Sequence, residues 1–320
     1  MNETTKILII IAISLILLGG IIFVCTMSIC GWDFTRLSMS KYDTKTYEIS
    51  EEIKNLSIVT STTDVEILPS DDSKITVICY EQEKTSHQIT VSDGTIAIEQ
   101  HDTRKFYEYI GFNFGQPKIS IYLPKGEYEA LTVAVSTGDI NIANGAKFKS
   151  ISVSGSTGDV SNYASVSESI KISISTGDIF MENVNADSLD LTVSTGKINA
   201  SKVMCNSDVK IKVSTGKTYL TDIKCDNFTT EGNTGDIFLN NVIAENKLTI
   251  ERSTGNVHFD GCDAGEIFVQ TDTGKVKGSL LSEKVFIPRS DTGDIEVPET
   301  KAGGVCKIIT DTGDIEITIK

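Results

Sequence analysis

From residue 129 onward, apolar and polar positions alternate in short runs, and each run breaks at the same dipeptide. Thr-Gly recurs with its glycine at Gly138, Gly158, Gly177, Gly196, Gly216, Gly235, Gly255, Gly274, Gly293 and Gly313, in steps of 19 or 20 residues. Counted from each glycine, position −7 is always apolar, from Leu131 to Cys306. Position −5 is Val, Ile or Leu in eight of ten repeats, with Thr230 and Pro288 the exceptions. Position +2 is Ile or Val in nine of ten, with Thr218 the exception. A spacing of two puts −7 and −5 on one face of a strand. Each repeat therefore predicts a strand, a tight turn at Thr-Gly, a second strand and a loop. Glycine supplies the positive φ of the turn, and the threonine hydroxyl is expected to close it.

One such unit cannot bury its apolar face alone, and a period near 20 residues predicts a stack. The fold class is all-β: a β-solenoid (β-helix) of about ten 19–20-residue coils over residues 129–320. Successive coils would sit about 4.8 Å apart, making a rod on the order of 50 Å long. A helical repeat is excluded by the spacing of two and by the β-branched residues crowding the strands. A single threonine column at a turn is not the wide flat array that an ice-binding surface requires.

The stretch 46–128 is β-rich but lacks Thr-Gly. Ile58 and Thr60, Val65 and Ile67, Ile75 and Val77, Ile89 and Val91, and Ile96 and Ile98 mark short strands. Ser61-Thr62-Thr63-Asp64-Val65 reads as a repeat turn with its glycine replaced, and Asp93-Gly94 as a hairpin. This region is expected to start the stack and cap its first open edge. Phe106, Tyr107, Tyr109, Phe112 and Phe114 predict either a plug over that apolar end or a platform for sugar rings or a membrane. At the other end, the last coil is expected to leave an edge that Glu316 and Lys320 blunt or that pairs with another copy.

Ahead of these strands, a tail of residues 1–6 precedes 24 residues, Ile7 to Cys30, without a charge. About 20 suffice to cross a bilayer, and Trp32 follows where an interfacial anchor sits. An uncleaved single-pass transmembrane helix over 7–30 is expected, followed by a polar tether over 31–45. Lys6 precedes the span and Arg36, Lys41 and Lys45 follow it, which does not favour the N-terminus inside. A six-residue N-terminus before a large domain nevertheless has the form of a signal-anchor, with the solenoid on the extracellular face of the cell membrane.

Charge narrows the partners. Asp+Glu number 44 against Lys+Arg 29, a net charge of −15. That argues against nucleic acid and against adsorption to anionic lipid. The residue after glycine is Asp139, Asp159 and Asp178 in three consecutive coils, then Lys197, Lys217, Asp236, Asn256, Lys275 and Asp294. Stacked carboxylates repel unless a cation, water or backbone N–H relieves them. Asp272, Asp291, Asp294, Asp311 and Asp314 gather at one corner of the last coils as a candidate calcium site. No other cofactor is expected.

His87, His101 and His258 show no metal-binding spacing. Cys79, Cys262 and Cys306 fit the core. Cys205 and Cys225 both follow their glycine by nine residues, so they stack in adjacent coils as a disulfide or as two free thiols. Uniform coil lengths leave no long loops to wall a cleft, so the chain is not expected to be an enzyme. A carbohydrate-active β-helix enzyme is the remote alternative.

The Ser-Thr-Gly-Asp runs at 136–139, 156–159 and 175–178, together with Gly31-Trp32-Asp33-Phe34 after an apolar span, resemble a bacterial family described as "putative adhesins", a domain of unknown function with β-strand repeats. The resemblance covers about residues 46–320 and implies a membrane-anchored β-solenoid. It carries over no catalytic or binding residue. Lys197, Lys217, Asn256 and Lys275 depart from the aspartate of its motif. The expected function is a non-catalytic rigid surface for adhesion or for binding an envelope component or partner protein. The alternative is an accessory of an envelope-stress or membrane signalling system.

Overall fold

The computed structural model describes residues 2–33, 41–109 and 115–320. Phe112 and Phe114 of the aromatic run lie outside the described residues, and so do the side chains of Tyr107 and Tyr109. One helix, Glu3–Ile29, is followed by strands from Tyr42 to the C-terminus that form one continuous sheet wound into a solenoid. The helix is 27 residues long, has a mean hydropathy of 3.2 over its best window, and buries none of that window against the strands. Its length and composition suffice to cross a bilayer.

Each coil is built as the alternation requires. Positions −7, −5 and +2 stack in register in parallel ladders, for example Ile170↔Leu189, Ile172↔Leu191 and Ile179↔Ile198. All of these side chains are buried. A second bend at position +6 was not legible as part of the repeat. Asn183, Lys202, Asp222, Asn241 and Gly261 occupy it with φ of 51–63°. This left-handed residue resets the alternation, so +2 and +4 face inward on one wall, and +7 and +9 on the next. Asn, Asp and Gly tolerate that conformation best, and unbranched Lys202 accepts it at some cost.

Glycine is required at the turn for two reasons. Nine of the ten glycines have φ of 131–150°, a region open essentially to glycine alone. A Cβ at Gly158, Gly177 or Gly196 would also collide with the carbonyl oxygen of the preceding turn glycine. The threonine hydroxyl does not close the turn as expected. Those threonines are exposed, and their carbonyls accept the glycine N–H of the neighbouring coil, as in Gly138 to Thr157 at 3.0 Å. The hydroxyls that reach turn carbonyls belong to Thr271, Ser290 and Thr310, at position −3.

The stack does not follow the chain at either end. Asn55–Thr62 lies directly on Glu127–Thr137, with Thr62 opposite Thr137, so Thr63 stands where the repeat has glycine. Outside it, Thr95–Asp102 and Lys118–Pro124 make one more parallel layer. Thr85–Ser92, Ile75–Gln82 and Tyr42–Ile49 then close that end with antiparallel pairing.

At the C-terminal end the last coil is not the end coil, contrary to expectation. Gly304–Thr312 pairs with Val257–Thr273 on one side and with Lys284–Thr292 on the other. Ile315–Ile319 sits likewise between Val276–Leu280 and Ile295–Glu296. The C-terminal residues are thus inserted between the Gly274 and Gly293 coils. Gly303 and Gly304 permit this close passage, because a Cβ on either would meet a carbonyl oxygen, of Glu283 and of Gly265 respectively. The open edge is therefore Lys284–Thr292. Pro288 breaks its run of N–H donors, and Ile287 and Ile295 are half exposed.

Polar residues interrupt the core in the middle coils. Arg252 is buried at position −3, its guanidinium occupying the space left by the missing side chain of Gly232. Its Nη1 donates to the Val213 carbonyl at 2.7 Å. Nε and Nη2 of Arg252 and the hydroxyls of Thr218 and Thr230 are buried without a protein partner. Such a patch suits ordered water.

Candidate interaction surfaces

At the Thr-Gly corner the stacked carboxylates accept backbone N–H groups of the neighbouring coil. Asp64 Oδ1 accepts the backbone N–H of Asp139 at 2.9 Å, Asp139 that of Asp159 at 2.9 Å, and Asp159 that of Asp178 at 2.7 Å. Asp178 accepts from Lys197 at 2.7 Å, and Asp236 from Asn256 at 3.0 Å. Each aspartate therefore ties its own coil to the next. Lysines alternate usefully in this column: Lys217 Nζ lies 3.3 Å from Asp236, and Lys275 Nζ 2.6 Å from Asp314. Burial alone would raise the Asp236 carboxyl, but the Asn256 N–H and the Lys217 ammonium outweigh it and hold it below its usual value. The Lys275 ammonium, aided by the Asp294 N–H, lowers that of Asp314.

This ladder is testable at one rung. Asp159→Ala leaves the Asp178 N–H without its side-chain acceptor and is expected to cost about 1 kcal/mol. Asp159→Asn keeps an acceptor oxygen and should lose little. Urea unfolding of both variants measures the difference, and equal losses would show that charge rather than the hydrogen bond matters.

The five carboxylates at the last coils fall on two columns. Asp272, Asp311 and Asp291 share position −2, and Asp314 and Asp294 share position +1. Lys275 already pairs with Asp314, and Arg289 with Asp291 at 3.1 Å. Their oxygens do not converge. Among the described residues, the one group of three Cys, His, Asp or Glu side chains with ligand atoms within 4.8 Å is Cys79, Glu81 and His87. Cys205 and Cys225 lie in adjacent coils at matching register, both as buried free thiols. Burial pushes each up to about 12. Phe106, in the short 3-10 turn Phe106–Tyr109, is exposed rather than seated in the core.

Outward-facing ladders were not legible in the repeat, because position +3 varies in residue type. Three consecutive coils place Tyr219, Phe238 and His258 there. Their rings stack at 4.9 and 4.7 Å, each pair within 5° of parallel. Lys217 Nζ sits 5.7 Å from the Phe238 centroid. Burial in this stack, with Lys277 adding to it, lowers the His258 imidazole. Around the second bend, a groove of about 330 Å³ runs across four coils, with Lys202, Lys224, Asn183, Asn241 and the exposed Met204 on its walls.

These observations place the chain among known proteins. The family model described as Toastrack DUF4097 matches residues 53–217 and 204–320. No curated protein matches. A solved "putative adhesin" from Parabacteroides merdae is 12% identical, with a TM-score of 0.53 over 75% of this chain and 96% of that one. Another from Parabacteroides distasonis is 14% identical, with a TM-score of 0.50 over 86% of this chain and 97% of that one. A "putative lipid binding protein" from Parabacteroides distasonis is 19% identical, with a TM-score of 0.47 over 75% and 97%. At these identities the likeness to the first two shows a shared fold. With the family model covering most of its length, the chain belongs to the Toastrack DUF4097 family.

Proposed function

We propose that the protein is a single-pass, membrane-anchored β-solenoid that works by contact rather than turnover, presenting a rigid outer face to an envelope component or partner protein outside a bacterial cell. The observation that carries this reading is the outward ladder of Tyr219, Phe238 and His258, held in register by parallel pairing of their strands. A surface ordered in advance loses little conformational entropy when it binds. The free apolar helix Glu3–Ile29 supports the anchored half of the reading. The neighbours described as adhesins are compatible with the binding half.

The test is topological. A C-terminal epitope tag on the full chain in intact cells is expected to disappear on addition of protease. A tag that survives until lysis would place the solenoid inside and remove adhesion.

A further inference from the structure

The N-terminal end of the stack buries a cluster of metal-ligating groups. Cys79 and Glu81 are two residues apart on the strand Ile75–Gln82, so both side chains point inward, and both are fully buried. His87, on the antiparallel strand Thr85–Ser92, joins them and is 4% exposed. A sulfur, a carboxylate oxygen and an imidazole nitrogen lie within 4.8 Å of one another.

The hydrogen bonds around His87 show which nitrogen faces the carboxylate. Gln100 Oε1 accepts from the Ser61 N–H and, at 2.9 Å, from the Thr60 hydroxyl. With its proton given to Gln100, Thr60 Oγ1 presents a lone pair to His87 Nε2, 3.2 Å away. The Thr63 hydroxyl lies 3.4 Å from the same nitrogen, so Nε2 either donates to Thr60 or accepts from Thr63. Nδ1 lies 3.0 Å from Glu81 Oε2. With the proton on Nδ1 the imidazole donates to Glu81; with it on Nε2, Nδ1 turns its lone pair toward the carboxylate, the arrangement that a shared cation bridges. The neighbouring thiol completes a donor set that a proton alone does not need.

We propose that Cys79, Glu81 and His87 form a metal site for a zinc-class divalent cation. Sγ, Oε2 and Nδ1 are the donors that zinc takes in three-residue sites. Binding replaces the Cys79 S–H bond with a metal–sulfur bond and releases that proton to solvent, so M²⁺ plus R–SH gives M–SR⁺ plus H⁺. Without metal, burial first and Glu81 second push the Cys79 thiol up to about 12, so it is protonated. The Nε2–H···Thr60 bond is the outer contact that orients a metal-bound imidazole. Glu81 Oε1 stays paired with Lys45 Nζ at 2.7 Å. Lys45 lies on the end strand Tyr42–Ile49 with its side chain 43% exposed, so one side chain separates the cluster from solvent.

The test uses the full chain in detergent, stripped with a chelator. Cobalt(II) is added as a spectroscopic probe, and zinc is titrated against a chromophoric chelator. The expected results are a near-ultraviolet thiolate-to-cobalt charge-transfer band, about one zinc per chain, and a rise in melting temperature with zinc. Cys79→Ser should remove the band, whereas Cys205→Ser should retain it. Thr60→Val, which keeps all three ligands, should weaken zinc binding by about 10–100-fold. The absence of a charge-transfer band in folded wild-type protein would overturn the proposal, whatever the variants do. So would undiminished zinc binding in Cys79→Ser, which would assign the ion to surface carboxylates.

Discussion

Deleting Gly304–Lys320 is expected to unstack the coil that precedes it in the chain. In the observed topology these residues are an internal layer and, among the described residues, the only strand partners of Lys284–Thr292 and Ile295–Glu296. Their loss exposes the Gly274 coil and removes the strands against which 284–296 pairs. The buried side chains removed include Ile308, Ile315 and Ile317. At about 1.5–3 kcal/mol each, their burial amounts to roughly 5–9 kcal/mol. Hydrogen exchange of the truncated chain should show complete loss of protection over 284–296. If coils instead stacked in sequence order, that segment would remain protected and only the chain end would be lost. A solenoid's stability is a sum over nearest-neighbour contacts, so removal of the inserted layer is read on the segment that packs against it.

Gly196→Ala should produce a large loss for a single methyl group. Gly196 has a φ of 145°, and a Cβ there would run into the Gly177 carbonyl oxygen. Backbone strain of about 1–3 kcal/mol and overpacking of similar size lead us to expect a loss of about 2–4 kcal/mol. Gly126→Ala is the control. Gly126 has open space around the added methyl and no positive φ, so the change should stay within about 0.5 kcal/mol. Urea midpoints of the two variants make the comparison. A tolerated Gly196→Ala would mean that adjacent turns can separate, and that the corner is softer than its hydrogen bonds imply.

The aspartate column shows why part of the corner was legible and part was not. Its recurrence is visible in the chain, and so is the choice between a cation and backbone N–H groups. Which of the two relieves the carboxylates depends on where the N–H of the next coil points. That follows from coil-to-coil offset, which no single repeat encodes. The Tyr219–Phe238–His258 ladder escaped for a related reason. Each residue looks like an isolated exposed position until parallel register sets the three rings face to face. Cys79 fits a core position and His87 stands alone in the sequence; the antiparallel crossing from Ile75–Gln82 to Thr85–Ser92 brings them to one point.

The sequence by itself determined the repeating unit: its two faces, its Thr-Gly turn and its coil length. These depend on side-chain alternation and on local backbone freedom, which residues a few positions apart already encode. Tertiary structure alone decided the order of the coils and what gathers at the ends of the stack. Most coils offer a similar parallel edge and a similar ladder of Ile, Val and Leu, so pairing chemistry distinguishes one neighbour from another only weakly. The choice falls to the connections: Gly303 and Gly304, which pass where no side chain fits, and the antiparallel strands at the N-terminal end, which bring Cys79, Glu81 and His87 into one buried cluster.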